Sequence, residues 1–80
     1  MTSKTVGKTW TSITDNGKTY QNSSNVNLEL YKQSTDTAPS EDVGGIVIPP
    51  FMNFTQPASG YVFARCPVNQ ITIYENEFIG

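Results

Sequence analysis

Apolar and polar positions alternate with a period of two along much of the chain. Val26, Leu28 and Leu30 alternate with Asn27, Glu29 and Tyr31, so Val26 to Tyr31 is predicted as a strand with one face inward. Ile71 and Ile73 alternate with Gln70, Thr72 and Tyr74 and predict a second strand, Gln70 to Tyr74. Tyr61 to Arg65 precedes it across Cys66-Pro67-Val68-Asn69. Shorter strands are predicted at Trp10 to Ile13, Lys18 to Gln21, Ile46 to Ile48 and Phe51 to Thr55. Asp15-Asn16-Gly17 marks a tight turn of the type I′ kind, expected to fold Lys18 to Gln21 back on Trp10 to Ile13. Asn22-Ser23-Ser24-Asn25 and Pro57-Ala58-Ser59-Gly60 mark further turns, and Pro49-Pro50 ends ladder pairing because neither proline donates a hydrogen bond. Lys32 to Asp42 is a long polar connection with little to give to a core.

No window longer than ten residues keeps a helical apolar spacing free of glycine, proline or Ser/Asn clusters. The expected fold is all-β: a small antiparallel β-sandwich or jelly-roll-like barrel of six to eight short strands. Residues 1–8 carry one apolar side chain, Val6, and are expected to be a flexible arm, or an arm that orders on a partner, with a single β domain over 9–80. The expected core is Trp10, Ile13, Val26, Leu28, Leu30, Ile46, Ile48, Val62, Ala64, Ile71 and Ile73.

Composition sharpens this picture. Ser, Thr, Asn and Gln make up 28 of the 80 residues, which disfavours helix, while Thr, Val, Ile, Tyr and Phe favour strand. A single small core of this size supplies about 3–5 kcal/mol, so such domains usually add a staple or a partner. One cysteine, Cys66, forms no internal disulfide, and with no histidine a structural zinc site is not expected. Self-association or docking on a larger body is left. The formal net charge of −2 and the single arginine, Arg65, argue against nucleic acid. No apolar stretch approaches the roughly 20 residues of a membrane helix, and the polar start resembles no secretory signal, so synthesis in a cytoplasm is expected.

Chemistry has little to draw on. Without histidine, Ser/His/Asp and Cys/His constellations are absent, and Cys66 beside Arg65 has no base to activate it. Glu75 and Glu77 share a strand face, but paired-carboxylate catalysis on a sugar needs a longer cleft than 80 residues offer. Glu41-Asp42 and Asp15-Asn16 lack the ligand count of a calcium loop. Asn22-Ser23-Ser24 and Asn53-Phe54-Thr55 match the N-glycosylation pattern, which recurs by chance in so polar a chain. No catalytic, metal or cofactor residue is expected, and no enzyme. Contact residues are a different matter. Tyr31 and Tyr74 fall on the polar faces of their strands, where tyrosines either serve interfaces and sugar platforms or simply cover the second face of a sheet. Pro50, Phe51 and Met52 form an apolar loop suited to packing on a neighbour.

The order of features resembles a family. Trp10-Thr11 opens the domain, Tyr20-Gln21-Asn22 precedes the strand Val26 to Leu30, and the loop Ala38-Pro39-Ser40 follows. Then come Gly45-Ile46-Val47-Ile48, the run Ser59 to Arg65, and the closing strand Ile71 to Glu75. Over about residues 9–76 this is similar to the small β-rich virion proteins of tailed bacteriophages, which decorate capsids or occur in tail and fibre assemblies. The resemblance implies a virion protein made in the host cytoplasm, with phage capsid or tail proteins as partners and binding as its mechanism. A homo-oligomer, a trimer first, fits that role. It implies no catalytic residue. Alternatives are a carbohydrate- or receptor-binding module of the tail or fibre, with Tyr31 and Tyr74 as contacts, and a small inhibitor of a host enzyme.

Overall fold

The computed structural model describes residues 3–75. It contains eight strands: β1 (Ser3–Val6), β2 (Thr11–Ser12), β3 (Thr19–Gln21), β4 (Leu28–Gln33), β5 (Ile46–Ile48), β6 (Asn53–Thr55), β7 (Tyr61–Arg65) and β8 (Ile71–Glu75). They form two four-stranded antiparallel sheets, ordered β1-β8-β3-β6 and β2-β7-β4-β5. The fold is all-β, a small β-sandwich, as the alternating pattern predicts.

The core lies between the sheets. Val6, Ile71 and Ile73 join Tyr20 and Phe54 from the first sheet, and Leu28, Val62 and Ala64 from the second. Ile13 and Cys66 fill it from just beyond the strand ends. Tyr20 is fully buried, its ring stacked on Phe54 with centroids 6.2 Å apart. Its hydroxyl donates to Asp15 Oδ2 at 2.7 Å. Burial first, then that bond and the negative charges of Asp15 and Glu75, push the Tyr20 phenol far above its ordinary range.

Several expectations change here. Residues 3–6 of the expected arm are a strand: β1 pairs with β8 in register Val6↔Ile71, and Val6 is fully buried. One apolar side chain suffices because only alternate residues of an edge strand face inward. The Asp15–Lys18 turn closes no hairpin. β2 pairs with β7, whereas β3 pairs with β6 and β8, so the turn carries the chain from one sheet to the other. Lys18 N–H donates to Asp15 O at 3.1 Å, and Gly17 has φ +79° while Asn16 is not left-handed. That is type II geometry, which needs one residue with positive φ where type I′ needs two. Among the strands, only β4 and β5 are consecutive partners in one sheet.

The crossing connections are held by two buried amides. Asn22 Nδ2 donates to the carbonyl oxygens of Val26 (2.8 Å), Ile48 (3.0 Å) and Pro49 (3.2 Å), and Asn22 Oδ1 accepts from Ser24 N–H and Oγ. Gln56 Nε2 donates to Ile13 O at 2.8 Å while Gln56 Oε1 accepts from Asp15 N–H at 2.7 Å. Each amide ties together backbone groups at places where the chain leaves one sheet for the other.

Trp10 is buried, as expected, but outside the main core. It lies on the outer face of the second sheet, its ring 6.0 Å from that of Tyr31, and its Nε1–H donates to Ser40 O at 3.2 Å. The polar connection after β4 therefore folds over this face with Pro39 buried beneath it, rather than looping free. A Cβ on Gly45 would run into the Leu30 backbone oxygen and approach Trp10 Cη2 to 2.9 Å, so glycine is needed for this close approach. Ile46, expected in the core, is 70% exposed. Its strand is a three-residue sheet edge.

Candidate interaction surface

The five residues singled out as contacts fall in two places. Tyr31 is half-buried against Trp10 on the outer face of the second sheet, where it covers structure rather than standing free. Tyr74 is 43% exposed on the outer face of the first sheet. It stands in a cross-strand row Ser3–Tyr74–Gln21–Asn53. Met52 directly precedes Asn53, so this row leads to the crossing loop that holds Pro50, Phe51 and Met52. Tyr74 and the loop thus share one side of the molecule, and Tyr31 belongs to the other sheet.

That loop is built with care. Met52 N–H donates to Pro49 O at 3.3 Å, closing a turn with Pro50 and Phe51 at its centre. Phe51 has φ +64°, the left-handed value that the third residue of a type II turn requires and that glycine or asparagine usually supplies. A bulky side chain there is strained by about 1–2 kcal/mol. The surroundings hold it: Phe51 N–H donates to Asn22 O at 2.7 Å, Asn22 N–H donates to Met52 O at 2.9 Å, and Gln21 Nε2 donates to Phe51 O at 3.1 Å. The result is an aromatic ring 62% exposed beside a methionine 54% exposed. Strain kept at an exposed aromatic points to function at that residue.

A second cluster, which sequence reasoning missed, closes the outer face of the second sheet. Arg65 Nε donates to Glu29 Oε1 at 3.0 Å, Nη1 to Glu41 O at 2.8 Å, and Nη2 to Val43 O at 3.1 Å. The guanidinium centre sits 4.4 Å from the Trp10 ring centroid. The Arg65 hydrogen bond holds the Glu29 carboxyl below the usual carboxylate range; burial opposes this, and the Gly45 N–H and the guanidinium charge add to it. All three guanidinium nitrogens are engaged on the chain itself, so the cluster fastens the loop over Trp10. It also takes Arg65 away from Cys66, whose side chain points to the opposite face and is fully buried.

The remaining sequence candidates are quickly placed. Among the described residues no three His, Cys, Asp or Glu side chains are grouped to hold a metal. Glu75 ion-pairs with Lys18 at 4.0 Å, and Glu77 lies outside the described residues. Asn22 is fully buried and closed to a glycan, while Asn53 is exposed. No helix among the described residues is long and apolar enough to cross a membrane. One sequence signal for this side of the molecule went unread: from Val43 to Ala64 there is no charged residue, and that run spans β5, the Phe51 loop and β6. No family model, curated protein or solved structure matches the chain.

Proposed function

We propose that this chain is a structural protein of a bacteriophage virion, most simply a decoration protein that binds the capsid shell and acts by binding rather than catalysis. The observation that carries this reading is the Phe51–Met52 tip, an apolar pair held out on a strained turn braced by a buried asparagine. Such a tip is costly to leave in water and suits a pocket on a larger body. A marginal core gains stability from that partner by mass action. The test is mass spectrometry of purified virions of the encoding phage, with copy number set against the major capsid protein. Hundreds of copies support decoration, and a few dozen or fewer move the protein to the tail or fibres. Absence from the particle overturns the reading in favour of a host-directed inhibitor. Phe51→Asn is expected to lower incorporation while the isolated domain stays folded.

A carbohydrate- or receptor-binding role at the tail or fibre has its own support. The strand positions on the outer face of the first sheet are all uncharged, and they are hydroxyls and amides apart from the ring of Tyr74. Thr19 and Thr55 are already paired across strands at 2.8 Å. Hits on a glycan array lost in Tyr74→Ala favour this reading; an array without hits removes it.

A further inference from the structure

From the geometry of the sandwich edges we infer that β5 is a self-pairing edge, through which two copies of this chain join antiparallel about a two-fold axis at Val47. This does not depend on the virion reading.

β5 ends the second sheet, and among the described residues no strand pairs with its outer side. Folded proteins usually blunt such an edge with a lysine, a proline within the strand, or a covering loop. Of the four edges here, β1 contains Lys4, β2 is two residues long, and β6 exposes Asn53 and Thr55. β5 reads Ile46-Val47-Ile48, with no polar side chain on either face, and Val47 is 53% exposed beside the still more exposed Ile46. A cleft of about 260 Å³ opens at the same side between the sheets, with Leu30, Ile46, Phe54 and Val62 in its walls.

The occupant that fits is a second copy. Antiparallel pairing about Val47 sets Val47 against Val47 on the outer face and Ile46 against Ile48 on the inner one. Every cross-strand pair is then branched aliphatic, the kind that stabilises ladders, and no like charges meet. The fit is self-complementary, as a two-fold interface requires. A ladder of three residues per copy is a small contact, at the weak end of specific interfaces. The pair is therefore concentration-dependent rather than obligate.

Sedimentation velocity on the purified full chain, from low micromolar to about 1 mM, tests this. The expected result is a shift from monomer to twice the monomer mass. Val47→Lys is expected to weaken association at least about tenfold by setting two ammonium groups across the axis. Val47→Glu does the same, and an equimolar mixture of the two recovers the dimer. Ile46→Lys serves as an independent variant, and an unchanged circular dichroism spectrum shows that each variant is folded. A monomer throughout, a trimer, a Val47→Lys dimer of wild-type strength, or a mixture that stays monomeric overturns the inference.

Discussion

Removing the Asn22 side chain should cost this domain most of its stability. The residue is fully buried, and its amide donates to Val26 O in the loop before β4 and to Ile48 O and Pro49 O at the end of β5. In Asn22→Ala, Val26 O keeps the Ser24 hydroxyl at 3.2 Å and Pro49 O keeps the Met52 N–H at 3.3 Å. Loss of the amide's two N–H donors and of the Oδ1 acceptor for Ser24, at about 1 kcal/mol each, gives about 3 kcal/mol, before any penalty for a carbonyl left dry. Against a small-domain total of about 5 kcal/mol, that leaves a barely folded protein. With about 4–8 °C per kcal/mol at this size, the midpoint should fall by about 15 °C. Asn22→Asp is the sharper variant. It keeps the acceptor for Ser24 but turns a carboxylate on the same carbonyls, and should be at least as damaging at neutral pH. Thermal and urea unfolding by circular dichroism read both, with exposed Asn27→Ala expected within about 0.5 kcal/mol of wild type. An Asn22→Ala loss below about 1 kcal/mol, or a wild-type midpoint for Asn22→Asp, would refute the bracing role.

Three further outcomes follow from the same structure. Glu29 has a carboxyl held below its ordinary value of 4.5, so its ion pair with Arg65 contributes fully above that pH and is lost as pH falls through the lower folded value. Glu29→Gln should therefore lower the midpoint at pH 7, and the gap to wild type should shrink toward pH 3. Phe51→Asn replaces a strained residue by one that tolerates positive φ, and should raise stability by about 0.5–1 kcal/mol in urea titrations, since the lost ring is largely in water. Cys66 is fully buried in the core, so a thiol reagent such as DTNB should react with it only at the rate of unfolding, and quickly in denaturant.

Much of the fold was legible because alternation reports which face of a strand is buried. β5 and β7 have the bounds the pattern predicts, and β4 and β8 are displaced by a residue or two. Pairing was not legible. The Asp15–Gly17 signal is local and describes a turn, but a turn can close a hairpin or carry the chain to the facing sheet. Only the distant partners Ala64 and Phe63 of β2, and Asn53 to Thr55 of β6, decide between these. Val6 and Tyr20 were passed over for a related reason. Each is the one inward apolar residue of a short strand, and one residue makes no period.

The candidate surface was half legible in the exposure of its residues, and the missing half has a physical explanation. Phe51 and Met52 stand out in sequence as apolar residues after a double proline, where a ladder cannot continue. Tyr31 offers the same kind of signal, yet Trp10 covers it, because the polar loop after β4 is drawn over the sheet by Arg65 and by Pro39. Asn22 reads as one more turn residue in a chain full of them, but its amide supplies the donors that the loop carrying Phe51 needs. An uncharged polar chain can place such groups inside at modest cost when every donor and acceptor is met, which a charged one could not do unpaired. The same economy of charge leaves Val43 to Ala64 without a lysine to guard its edge. An interior held by amides and an edge open to pairing are thus two results of one composition, and the Val47 and Asn22 variants probe them separately.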